Sequence, residues 1–129
     1  MPRAIAVASL CLLAITPATG RTGPAQGASS RVGQDYALAT CLTQKAGGEL
    51  RAEGYHLGSI AIGQSGLSPL DFTAVRDAVA KTLARTPMTT VHIDAPVDRS
   101  DRPALLAHCL AITRSPVVQA AITRLPRRR

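Results

Sequence analysis

Apolar residues recur along most of this chain with helical rather than strand spacing. The clearest stripe is Phe72, Val75, Val79 and Leu83, which lie on one side of a helix across three turns, with Arg76, Asp77 and Lys81 on the other side. Ser68 stands before it as an N-cap, Pro69 occupies the first helical position, and Asp71 follows the cap by three residues. Pro87 cannot continue a helix, so the pattern predicts one from Ser68 to about Arg85.

The flanking segments read the same way. Leu38, Cys41, Leu42 and Lys45 fall at i, i+3, i+4 and i+7, which predicts a first helix from Asp35 to Ala46, ended by Gly47-Gly48. A second helix is expected over Glu49–Leu57, interrupted at Gly54, with Tyr55 and Leu57 turning toward the core. Ile60-Ala61-Ile62 would suit a strand, but a single strand has nothing to pair with. Pro103 opens a further helix whose buried stripe is expected to be Leu105, Leu106, Cys109, Leu110 and Ile112. Ser115-Pro116 repeats the cap-then-proline signal, and Val117, Val118, Ala121, Ile122 and Leu125 follow before Pro126.

Two stretches break the pattern. Arg21–Gly33 is rich in Gly, Ala, Ser and Thr without a period, so residues 21–34 are expected to be a flexible segment, with the ordered domain over 35–126. Thr86–Arg102 holds two prolines and one β-prone run, Thr89-Thr90-Val91-His92-Ile93. It is either an extended crossover or a functional loop, since long irregular stretches are uncommon in small domains. The fold class expected is all-α: a small bundle of four to five helices held by one disulfide. Leu, Ile, Val and Ala must build its core, because Tyr36, Tyr55 and Phe72 are the only aromatic residues.

That disulfide follows from the N-terminal residues. Arg3 followed by the uncharged run Ala4–Ile15, Pro17 and the small residues Ala18-Thr19-Gly20 reads as a signal peptide over 1–20. The run is too short to span a bilayer, which takes about 20 residues. Cys11 would leave with it, and an exported domain retaining Cys41 and Cys109 is expected to join them. The expected location is the periplasm, with no membrane span.

Charge and candidate chemistry narrow the function. Lys and Arg number 15 against 8 Asp and Glu, a net charge of +7. Three of these charges form an exposed tail, Arg127-Arg128-Arg129, that either aids solubility or attracts acidic partners. Export and the scarcity of aromatics argue against nucleic acid. A thiol–imidazole pair would have to come from Cys41 or Cys109 with His56, His92 or His108, yet His108 and Cys109 are adjacent on a helix and point apart. His92 and Asp94 are too few for a metal site, and each histidine is expected at the surface or in a loop. No catalytic residue, metal or cofactor is expected, and the chain does not read as an enzyme. A periplasmic stress chaperone is the alternative, but it calls for a larger acidic set than eight carboxylates.

The order of these features resembles a known family. Cys41-Leu42 lies on the first helix, then come Gly54-Tyr55-His56-Leu57-Gly58, one long amphipathic helix, Cys109-Leu110, and a Ser-capped last helix with Val118, Ile122 and Leu125. Over residues 36–125 this is similar to the periplasmic immunity proteins of type VI secretion amidase effectors, in the fourth amidase-immunity group. Ala111-Ile112-Thr113 stands where that family commonly has an aromatic residue. The resemblance implies an α-helical, disulfide-linked homodimer that blocks the cleft of a peptidoglycan amidase with a Cys-His site. On that reading the contact residues are expected in the irregular stretch. Val91, Ile93 and Val97 would form an apolar tip, Asp94, Asp98 and Arg99 a charged rim, and His92 would approach the amidase site.

Overall fold

A computed structural model describes residues 24–94 and 99–127. It contains α1 (Pro24–Lys45), α2 (Gly48–Ser65), α3 (Thr73–Arg85), α4 (Leu105–Thr113) and α5 (Pro116–Thr123). A 3-10 turn over Pro69–Phe72 leads into α3, and a hairpin of β1 (Thr90–Asp94) and β2 (Arg99–Pro103) separates α3 from α4. The expected all-α bundle held by one disulfide is therefore present, with one two-stranded addition. The expected signal peptide, Arg128 and Arg129 lie outside the described residues.

Helix α1 is the axis of the domain, because α2, α3, α4 and α5 all pack against it. One side turns Ala39, Leu42 and Ala46 toward α2, and another turns Gly33, Ala37 and Cys41 toward the remaining helices. Helices this crowded need small side chains at the crossings. A Cβ at Gly54 of α2 would lie 3.0 Å from Leu42 Cβ and 3.1 Å from the Thr43 backbone nitrogen. Gly54 is thus not an interruption: α2 runs unbroken through it and through Ile60-Ala61-Ile62 to Ser65. The glycine is where the two helices touch.

Helix α1 also begins at Pro24, well before Asp35, so the expectation of a flexible segment over 21–34 does not hold for its described part. The end of α5 explains the extension. A Cβ at Gly33 would lie 2.6 Å from Ile122 Cγ2 and 2.9 Å from Leu125 Cδ1, so the α1 backbone lies directly against these side chains. Burial there outweighs the weak helical preference of a Gly- and Ser-rich stretch.

Local signals behave as expected at α3 and α5. Ser68 Oγ accepts from the Leu70 N–H at 3.1 Å, and the Ser68 N–H donates to Asp71 Oδ2 at 2.8 Å, a reciprocal capping box. Phe72, Val75, Val79 and Leu83 are all buried, and Tyr36 of α1 packs on Phe72 with ring centroids 4.5 Å apart. Ser115 caps α5 by accepting from the Val118 N–H. The other apolar stripes are narrower than expected: Leu106, Val117 and Tyr55 are exposed, whereas Cys109, Ile112, Val118 and Ile122 form the core.

Cys41 of α1 and Cys109 of α4 are fully buried and joined within the chain, with Cα atoms 5.5 Å apart and a sequence separation of 68. Closing a loop of that length disfavours the unfolded chain by roughly 4 kcal/mol in the chain-entropy account. The Cys41→Ala/Cys109→Ala double variant should lose about that much in urea unfolding. Val79→Asp should abolish folding, because a lone carboxylate among Phe72, Val75 and Cys109 has no partner and costs several kcal/mol. A Val79→Asp protein with the parent's circular dichroism and melting temperature would contradict this packing.

Candidate functional site: the hairpin and its root

The irregular stretch expected from the sequence is for the most part a β-hairpin. Its register pairs Thr90 with Pro103, Val91 with Arg102, His92 with Asp101, Ile93 with Ser100 and Asp94 with Arg99. The pairing continues below the strands, where the Ala104 N–H donates to the Thr89 carbonyl at 2.8 Å. In an antiparallel ladder such a pair normally exchanges two bonds. Here the Ala104 carbonyl instead accepts from the His108 N–H at 2.8 Å, the first turn of α4. The Thr89 N–H that would have paired with it donates to His108 Nδ1 at 3.3 Å, and Thr89 Oγ1 lies 3.4 Å from the same nitrogen.

His108 thus takes over the last rung of the ladder. It is 1% exposed, contrary to the expectation of a surface or loop histidine, and its ring joins the hairpin root to the bundle. An imidazole nitrogen that accepts from an amide carries no proton, which fixes the hydrogen of neutral His108 on Nε2. Sequence spacing gave no hint of this role, because His108 and Thr89 are 19 residues apart. The available signal was a polar ring placed one residue from a buried cysteine in a short apolar helix.

The residues expected to make contact are distributed along this hairpin. Val91 and His92 are exposed in β1, with Val91 next to the root and not at a tip. Ile93 and Asp94 complete β1, and Arg99 opens β2 as the register partner of Asp94. Val97 and Asp98 lie outside the described residues. The structure therefore brings Val91, His92, Ile93, Asp94 and Arg99 into one element. Met88 and Leu106, one on each side of the root, are also exposed.

Other candidate chemistry disperses. Both body cysteines are consumed by the bridge, so neither is a thiolate nucleophile. His56 and His92 are exposed and His108 is buried; no group of three potential metal ligands occurs among the described residues. A groove of about 240 Å³ runs between α1 and α2 beneath Tyr55. Its threonine and serine hydroxyls are committed to helix carbonyls: Thr40 Oγ1 donates to Tyr36, Thr43 Oγ1 to Thr40 and Ser59 Oγ to Tyr55. No single helix among the described residues is long and apolar enough to cross a membrane. No family model matches the chain, and neither does any curated protein or solved structure.

The root makes a direct prediction. His108→Ala removes the acceptor of the Thr89 N–H and should cost about 1–3 kcal/mol of stability. Hydrogen exchange at the Arg102 amide, inside the hairpin, should accelerate more than exchange within α1. Unchanged exchange in the hairpin would show that His108 does not anchor it.

Proposed function

We propose that this chain is an exported inhibitory binding protein whose hairpin blocks the active-site cleft of a peptidoglycan amidase delivered by a competing cell. The observation that carries the reading is a hairpin anchored at its base by His108 while its two strands pack chiefly on each other and stand clear of the helices. An isolated two-stranded hairpin is marginal in water, so one fixed to a rigid support is suited to docking. The staple supports an oxidising location such as the periplasm. The sequence resemblance to amidase immunity proteins supplies the target class, and with it the expectation of a homodimer. On this reading the chain does no chemistry of its own. It excludes the wall peptide from a Cys-His site.

The excess of positive charge favours an acidic target surface and fast association at low salt. Replacing residues 90–103 with a short Gly-Ser linker should leave the helical circular dichroism intact. It should weaken inhibition of the cognate amidase in a cell-wall digestion assay by at least ~10-fold, about 1.4 kcal/mol. Equal inhibition by the shortened protein would move the contact to another face.

A further inference from the structure

We infer that the hairpin binds by strand addition: the outer edge of β1 pairs with an extended segment of the target, one that carries acidic side chains. The inference rests on the inhibitory reading above and specifies how that contact is made.

The phase of the ladder decides which backbone groups are available. Thr89 and Ala104 form a hydrogen-bonded pair, because the Ala104 N–H donates to the Thr89 carbonyl. Bonded and non-bonded pairs alternate along an antiparallel ladder, so Thr90–Pro103 and Asp94–Arg99 are non-bonded pairs. Their backbone N–H and C=O groups point away from the hairpin. Pro103 confirms the phase: proline is tolerated in a strand only where its nitrogen faces outward. The two edges therefore differ. On β2, Pro103 removes a donor from an edge that also carries Arg99, Asp101 and Arg102, the composition that discourages strand pairing. On β1, Thr90-Val91-His92-Ile93-Asp94 contains no proline or lysine and three β-branched residues. No third strand joins the sheet among the described residues.

Charge selects the occupant. A second copy would bring the same positive excess to the edge. Lys81 and Arg85, on the last turns of α3 leading to the hairpin, are exposed and form no ion pair among the described residues. An acidic segment of another protein laid along β1 complements the positive excess of this chain, whereas a second copy repeats it. Main-chain bonds would then supply much of the affinity and the acidic side chains the orientation.

Thr90→Pro separates this mode from any other use of the hairpin. It deletes one outward donor while leaving every bond between β1 and β2, and Thr90→Val keeps both the donor and the branched side chain. With the amidase as probe, Thr90→Pro should inhibit at least ~10-fold less well than the parent, and Thr90→Val should match the parent. Protection of the Arg102 amide in both variants confirms an intact hairpin. A Thr90→Pro protein that keeps this protection and inhibits like the parent overturns strand addition. A parent that fails to inhibit overturns the functional reading itself, a distinguishable result. Sedimentation of the parent alone adds a further arm. Self-association lost in Thr90→Pro would assign the edge to a second copy and overturn the occupant named here.

Discussion

Everything in this domain depends on how closely its helices can approach α1. A helix surrounded by four others cannot carry large side chains at every crossing. The sequence answers with Gly33, Ala37, Ala39 and Ala46 along α1 and Gly54 on α2. Close approach brings many atoms into van der Waals range without the rotamer entropy of long side chains, which partly makes up for the scarcity of aromatic rings. The Cys41–Cys109 bridge belongs to the same arrangement. It occupies the α1–α4 crossing with two small side chains covalently joined, where two leucines would force the helices apart.

The hairpin is built on opposite terms. Thr90, Val91, His92, Arg102 and Pro103, next to its root and along its strands, are exposed. Its position is set at one point, where α4 takes the Ala104 carbonyl for its first turn and His108 replaces that carbonyl for Thr89. A buried imidazole is a suitable substitute because it offers one well-directed acceptor and otherwise packs as a flat, largely apolar ring. Rigidity in the bundle is thereby passed to an element that the bundle does not cover.

How much of this was legible in the sequence follows the range of each interaction. The Ser68–Asp71 capping box and the Phe72–Leu83 stripe are local and were readable, as was the pairing of Cys41 with Cys109. The N-terminal half of α1 was not, because residues near 33 are helical on account of Ile122 and Leu125, at the other end of the chain. Gly54 was read as a break because a glycine in a helix looks the same in sequence whether it ends the helix or admits a neighbour. β2 escaped notice because Arg99-Ser100-Asp101-Arg102-Pro103 has neither β-branched nor aromatic residues, and its strand state comes from pairing with β1. Of the irregular stretch that holds the candidate contact residues, the bounds were legible and the strand pairing was not.

The axial position of α1 also bears on the order in which the domain can assemble. In a simple up-and-down bundle each new helix packs on the one before it, and structure grows as the chain lengthens. Here α1 has only α2 as an early neighbour. Its remaining faces stay bare until α3, α4 and α5 exist, and Gly33 meets Leu125 only when the last residues of the domain have appeared. Long-range closure of this kind slows folding, because loop entropy is lost before the contacts that offset it can form. The nascent domain therefore remains without a complete core until α5 has been made. Oxidation of Cys41 and Cys109 afterwards would fix the arrangement that the last helix completes.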